Sequence, residues 1–157
     1  MFYTLTLYAM IATMKKILSI VILFLVTNSA LATEYTHYFD FDEQRVFLEA
    51  AKSDRDKIRG LAKRDHLLAN TGMVFLYESN AEQAFWMKNV SFPLDIIFLK
   101  DGVVTRLYKN TQPCTTEICK IYPSKGVVNQ VVEVPAGFCK LHKIKKKSII
   151  RVKELEE

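Results

Sequence analysis

The sequence predicts an α+β domain with a mostly antiparallel, barrel-like β-sheet and two short helices. Short apolar segments of strand length recur along the chain, with turn residues between them. The pair Asp101-Gly102 separates two such segments and is typical of a β-hairpin, because a type I′ turn requires positive φ. Helix-capping or helical-turn patterns occur at two places, which favours a sheet with small helices attached to it.

Six or seven strands are expected, the last of which closes the sheet. Several strands are apolar at every position, which indicates that both faces of the sheet are covered. The predicted strands are residues 45–50, 73–77, 84–90, 94–100, 103–108, 126–134 and 148–152.

Both helices are predicted in connections between strands. Ser53 and Asp56 have the spacing of a capping box, which predicts a helix that begins there and runs through Leu61. A second helical turn is predicted over residues 135–141. The turn residues 70–72 are expected to lead the chain into the strand that begins at residue 73.

The first 32 residues are interpreted as a leader and signal peptide, the signal proper being 14–32. Lys15 and Lys16 precede an apolar run at 17–26, and Ala30-Leu31-Ala32 has the small-x-small pattern of a cleavage site. The run is shorter than the ~20 residues of a transmembrane helix. We therefore expect cleavage after Ala32, export to the periplasm or the cell exterior, and no stable membrane span afterwards.

Residues 1–13 do not fit a signal peptide, because they are apolar and precede the two lysines. Translation from either Met1 or Met14 is compatible with this interpretation. After the signal, residues 33–44 are predicted to be an N-terminal segment and residues 45–157 a single domain.

Composition and charge exclude some classes of protein. The chain has 157 residues, half of them hydrophobic, which is enough for a packed core. Its formal net charge is +5, but the basic residues are scattered apart from a short run at 143–147. A nucleic-acid partner is therefore not expected.

The three cysteines suggest a disulfide. Cys114 and Cys119 lie in one predicted loop, and outside the cytoplasm they are expected to be bonded to each other. Cys139 is then a buried thiol. A zinc site that adds Cys139 and His142 to the other two cysteines is the weaker alternative, and no cofactor or metal is predicted.

Five sequence blocks carry a family resemblance. Phe85-Trp86-Met87-Lys88-Asn89 and Pro93-Leu94-Asp95-Ile96, with a short spacer between them, are the specific part. With the other three blocks the chain resembles domain of unknown function family 192 over about residues 45–152. The resemblance implies a compact, β-rich α+β domain that is often exported and has no established activity. The other blocks are Arg59-Gly60-Leu61, Gly72-Met73-Val74-Phe75, and Glu133 with Ala136-Gly137.

Two departures from the family pattern are visible. Ala62 stands where the family usually has a methionine, and Lys145 to Lys147 replace the Gly-Asp that usually precedes the last strand. The second departure makes the final turn of the domain less defined by sequence.

A candidate ligand-binding surface comprises Trp86, Lys88, Asn89 and Asp95, with Arg59 as a neighbour. Alternate residues of a strand share a face, so Trp86 and Lys88 are expected to point the same way. The short connection after this strand would return Asp95 to the vicinity of Lys88. An indole, an amine, an amide and a carboxylate on one face suit a small polar ligand. In the alternative, Lys88 and Asp95 form an ion pair and Trp86 belongs to the core.

The predicted function is a non-enzymatic, exported domain that binds a small polar ligand or an envelope partner. One alternative is a hydrolase that uses Asp95 and Glu133 as general acid and base. That role requires two carboxylates within several ångströms of each other, roughly 5–9 Å in glycosidases. The other alternative is a structural or accessory envelope domain without a cavity. The sequence contains no Gly-x-Ser-x-Gly turn and no Gly-rich phosphate loop.

Overall fold

The computed structural model describes residues 34–156, so the predicted signal peptide lies outside the described residues. Strands dominate this part of the chain, and both helices are short. The elements are β1 (His37–Phe41), β2 (Gln44–Ala51), α1 (Asp54–Arg59), β3 (Thr71–Trp86), β4 (Leu94–Lys100), β5 (Val103–Thr111), β6 (Ile121–Pro135), α2 (Phe138–Leu141) and β7 (Lys153–Glu154).

All seven strands belong to one sheet in the order β5-β4-β6-β3-β2-β1-β7. The β2–β3 pair is parallel and the other pairs are antiparallel, which makes the sheet mixed. The predicted class, a strand-rich α+β domain with two short helices, is confirmed. The sheet is not closed, because its order begins at β5 and ends at β7, so the barrel-like form is not confirmed.

The predicted strand 73–77 and the first three residues of the predicted strand 84–90 belong to the single sixteen-residue strand β3, which ends at Trp86. Residues 87–90 lie beyond it in a turn, so that part of the prediction is wrong. The polar residues between the two segments stay in the sheet, because β3 remains paired with β6 through irregular register steps near Leu76 and Glu82. Such irregularities let a strand bend without leaving its partner.

The predicted closing strand at 148–152 is wrong. Ile149 makes only an isolated bridge to Val103, and the last strand, β7, lies further along the chain and pairs with β1. Ile150 is instead fully buried, and its amide donates to the carbonyl of Gly102 at 2.8 Å. The apolar pattern in this segment reflects packing onto the sheet and not pairing along it.

The sheet begins earlier than predicted, within the segment 33–44. There β1 pairs with β2, and the two-residue connection Asp42-Glu43 has positive φ at both positions. This is the backbone of a type I′ hairpin turn, formed here without glycine. The predicted turn at Asp101-Gly102 has the same geometry, with φ of 52° and 77°, and is confirmed.

Both faces of the sheet are covered, as the apolar strands predicted. One face packs against α2 and the segment that contains Ile144 and Ile150. The opposite face packs against Leu61, which follows α1, and against Met87 and Val90 beyond β3. Successive residues of β4 alternate between these two cores, so that Ile97 joins the first and Ile96 the second.

The disulfide between Cys114 and Cys119 is present, with an S–S distance of 2.08 Å, as predicted. It closes the loop between β5 and β6. Cys139 is a buried free thiol, and burial raises its pKa.

Over the range 34–156, none of the helices has the length and apolar character needed to cross a membrane.

Candidate functional site

An open cavity of ≈ 400 Å³ lies between α1 and the C-terminal half of β3. Its size suits a small organic molecule. Aromatic side chains, a basic rim and one buried carboxylate surround it. The lining residues are Asp54, Lys57, Ile58, Arg59, Gly60, Leu61, Phe75, Tyr77, Gln83, Ala84, Phe85, Trp86, Lys88, Val90 and Glu133.

Local sequence signals hold α1 at the edge of this cavity. The Ser53 Oγ accepts a hydrogen bond from the Asp56 amide at 3.1 Å, which confirms the predicted cap. The helix ends at Arg59, before Leu61, because Gly60 takes a φ of 47°. A Cβ on Gly60 would lie 3.4 Å from the Phe75 ring, an ordinary contact, so glycine is favoured here by its positive φ and not by lack of space.

Trp86 is the last residue of β3, whereas Lys88 lies in the turn after it and not on the strand that the sequence predicted to reach residue 90. Both side chains are exposed and both line the cavity, while Met87 between them is buried. Trp86 is 52% exposed, so the alternative in which it belongs to the core is wrong. An exposed indole beside a cavity offers a flat surface for a ligand.

Arg59 also lines the cavity, at the last turn of α1. Its guanidinium donates to the Asp56 carboxylate at 2.7 Å, one helical turn back. Because both side chains are exposed, this pair adds little to stability. It leaves Arg59 oriented along the rim and partly neutralised.

Asp95 is not brought to the cavity. It is fully buried on the α2 face of the sheet, where its two carboxylate oxygens accept from the Asn110 amide at 2.7 Å and the Cys139 amide at 2.8 Å. No ion pair joins it to Lys88 among the described residues. The predicted role of Asp95 in ligand binding, and the alternative Lys88–Asp95 pair, are therefore corrected to a structural role that joins β4, β5 and α2.

Asn89 has a backbone role near the cavity but does not line it. Its φ is 60°, a left-handed conformation that asparagine tolerates better than most residues. Its carbonyl accepts a hydrogen bond from the Lys63 amide at 3.0 Å. The turn at Asn89 thus anchors the segment that follows α1, which forms one wall of the site.

Glu133 supplies the buried carboxylate of the cavity. It is 4% exposed and lies on β6 between Met73 of β3 and Ile96 of β4. Burial raises its pKa to about 8. The sequence indicated this residue only as one half of a catalytic pair, and the signal that it is buried is the apolar run Val131 to Val134 in which it stands.

The predicted alternative of a hydrolase that uses Asp95 and Glu133 is not supported by the geometry. In the β4–β6 pair, Glu133 is opposite Ile96 and Asp95 is opposite Val134, so the two carboxylates project from opposite faces of the sheet. They cannot act on one substrate.

The alternative zinc site is also not formed. Cys114 and Cys119 are bonded to each other and are therefore unavailable as thiolate ligands. From residue 34 to residue 156, no group of three or more His, Cys, Asp or Glu side chains is arranged to hold a metal ion.

Tyr77 lines the same cavity as Glu133 and Lys57. Burial, and then the charge of Glu133, raises the pKa of Tyr77 to about 12. The Lys57 Nζ lies 4.9 Å from the centre of the Tyr77 ring, within the range of a cation–π interaction. The cavity is thus acidic within and basic at its mouth.

These features define a class: a small α+β domain whose open mixed sheet carries a ligand-sized cavity beside a short helix. The model of the domain of unknown function family 192, described as "Uncharacterized ACR", matches residues 37–152. The chain belongs to this family, as its sequence blocks predicted. A search of the curated proteins finds no match.

Two solved structures are similar to this chain. One is a candidate transcription regulator from Sinorhizobium meliloti 1021, with a TM-score of 0.66 and 24% identity, over 76% of this chain and 92% of that one. The other is a protein of unknown function from Novosphingobium aromaticivorans DSM 12444, with a TM-score of 0.64 and 27% identity, over 75% and 83% of the two chains. The first likeness shows the fold alone.

Proposed function

We propose that this protein is an exported, non-enzymatic domain that binds a small polar ligand, free or displayed by an envelope component, in the cavity beside α1. The single observation that carries the proposal is the convergence of an exposed indole, a basic rim and a buried carboxylate on one open space. Polar groups that converge on a cavity with aromatic and apolar walls are typical of a binding site.

The case against catalysis rests on the arrangement of the reactive groups. The cavity contains one buried carboxylate, and the second carboxylate of the lining, Asp54, stands on α1 and is exposed. A general acid and a general base would need two groups held in opposite protonation states at the same bond. One buried carboxylate among aromatic rings suits recognition better than reaction.

Two features support export. The first 32 residues have the charge and hydropathy pattern of a signal peptide, and Cys114 and Cys119 form a disulfide. Disulfides persist in oxidising compartments and are rare in the cytosol.

Protein purified from the envelope fraction is expected to begin at Thr33 and, once unfolded, to show one titratable thiol, that of Cys139.

Reduction of the disulfide is expected to lower the free energy of unfolding by about 2 kcal/mol, because the bridge closes a short loop in the unfolded chain. N-terminal sequencing, thiol titration and urea unfolding check these results. A double variant, Cys114→Ala with Cys119→Ala, serves as the control that reduction leaves unchanged. A cytosolic chain with three free thiols would contradict the proposal.

Fluorescence tests ligand binding directly, because Trp86 is the only tryptophan of the chain. A library of amino acids, amines, sugars and short peptides is expected to include compounds that change its emission saturably. Lys88→Ala is expected to weaken that binding tenfold or more, since hydrogen bonds to charged groups contribute about 1.5–3 kcal/mol.

The matched control for this test is Lys100→Ala, which removes an exposed lysine that does not line the cavity. It is expected to leave the binding curve unchanged. Silence across the whole library, from a folded protein, would contradict ligand binding and favour the accessory role.

A further inference from the structure

Resting on the proposed function, we propose that the ligand carries a protonated amine and that the Glu133 carboxylate is its counter-ion. The inference starts from a buried acid that has no protein partner. Within residues 34–156, none of the side-chain hydrogen bonds or ion pairs includes the Glu133 carboxylate. By contrast, Asp95 accepts two hydrogen bonds, and Glu49, which is half-buried, is paired with Arg64.

An unpartnered buried carboxylate is costly in a folded protein. Its cross-strand neighbours, Met73 and Ile96, are apolar and offer no hydrogen bond. Such a group is either neutral or matched by a cation. Because Glu133 faces an open cavity and not a closed core, a cation that enters from solvent can reach it.

The walls of the cavity suit the rest of an amine. Phe75 and Phe85 pack edge to face, with ring centres 4.8 Å apart, and Tyr77 and Trp86 add two more rings. Aromatic rings attract organic cations through their faces and bury the attached hydrocarbon. Aromatic rings that share a cavity with a carboxylate form a usual environment for an ammonium group.

The rim carries charge of the same sign as an amine. Lys57, Arg59 and Lys88 surround the mouth, but Lys57 lies over the Tyr77 ring and Arg59 is paired with Asp56. Their exposed charges are screened by water within a Debye length of about 8 Å. The basic rim therefore weakens the binding of an ammonium group without excluding it from the cavity.

Binding of such a ligand is linked to pH. The titratable groups around Glu133 are Asp54, Lys57 and Arg59 from α1, and Tyr77 and Lys88 from β3 and the turn after it. Burial raises the pKa of Glu133 to about 8, so the empty site is mostly protonated at neutral pH. A cation must displace that proton, and affinity is expected to rise as the pH increases from 6 to 9.

The test uses three probes of matched size: phenethylamine, 2-phenylethanol and 3-phenylpropionate. Each probe is titrated by calorimetry into the mature domain at pH 6, 7.5 and 9. Repeating the titrations in two buffers of different ionisation enthalpy gives the number of protons released on binding. We expect phenethylamine to bind about tenfold or more tightly than the alcohol at pH 9, and to release a proton on binding at pH 6.

Glu133→Gln keeps the shape of the side chain and removes its charge. This variant is expected to bind phenethylamine no better than the alcohol, with no proton release and no dependence on pH. Glu82→Gln is the matched control, because Glu82 is exposed on β3 and does not line the cavity. It is expected to behave like the unmodified protein.

The outcomes separate this inference from the proposed function. If library compounds without an amine bind while phenethylamine does not, or if the three probes bind equally, the ammonium assignment is wrong and the binding function stands. If no compound binds, amines included, both are wrong. Preference for phenethylamine that survives Glu133→Gln would also overturn the assignment.

Discussion

Asp95→Ala is expected to lower the free energy of unfolding by about 3–5 kcal/mol, one of the two largest effects of single substitutions predicted for this domain. The change leaves the buried amide of Cys139 and the part-buried amide of Asn110 without an acceptor, and each unsatisfied donor costs about 1–3 kcal/mol. Urea unfolding followed by circular dichroism measures the loss.

Asp95→Asn provides the graded control for this experiment. Asparagine keeps one acceptor oxygen, so about half of the loss is expected, and the variant should still fold. Its binding of cavity ligands should be unchanged, because Asp95 lies on the opposite face of the sheet from Glu133. A loss below about 1 kcal/mol for Asp95→Ala would show that water satisfies the two amides.

Glu133→Gln is expected to stabilise the domain at alkaline pH by roughly 5 kcal/mol and to have little effect at pH 4. Burial raises the pKa of Glu133 from 4.5 to about 8 in the folded protein. A carboxyl whose pKa is raised by folding adds stability below pH 4.5, and that contribution is lost as the pH rises through 8. Glutamine removes the titration.

Urea unfolding at pH 4, 6 and 9 checks this pH dependence. The difference between the variant and the unmodified protein should grow between pH 4.5 and 8 and then level off. Glu82→Gln, an exposed change on β3, should give a small difference that does not vary over this range. A difference for Glu133→Gln that is equally independent of pH would mean that the carboxyl is hydrated in the folded protein.

The two experiments separate roles that the sequence combined. The sequence predicted that Asp95 contacts the ligand. In the alternative hydrolase, it predicted that Asp95 and Glu133 together are the general acid and base. The structure assigns Asp95 to the framework and leaves Glu133 with the cavity. If the expected results are obtained, loss of Asp95 will affect stability alone, whereas loss of Glu133 will raise stability and reduce binding of amines.

Much of the architecture was predictable because its signals are local. The Ser53 cap, the Asp101-Gly102 turn and the apolar strand over residues 94–100 each depend on a few neighbouring residues. The exposure of Trp86 at the end of β3 agrees with simple alternation, whereas Lys88 lies in the turn after the strand. Membership of the family was predictable from the spacing of short blocks.

The wrong predictions concern pairing between distant segments. The polar residues inside β3 looked like a break because only the partner strand β6 shows that they remain paired. Ile149 and Ile150 looked like a strand, since burial against the sheet gives the same apolar signal as pairing within it. Closure of the sheet could not be predicted, because it depends on the order of all seven strands.

The sequence by itself determined the strand-rich class, the helix cap, the hairpin turn, the disulfide pair and the family. Only the tertiary structure decided that Asp95 and Glu133 lie on opposite faces, and that Glu133 forms part of a cavity with α1 and β3. The physical reason is register. A shift of one residue between paired strands sends every side chain to the other face, and no local pattern specifies which residues of two distant strands are opposite each other.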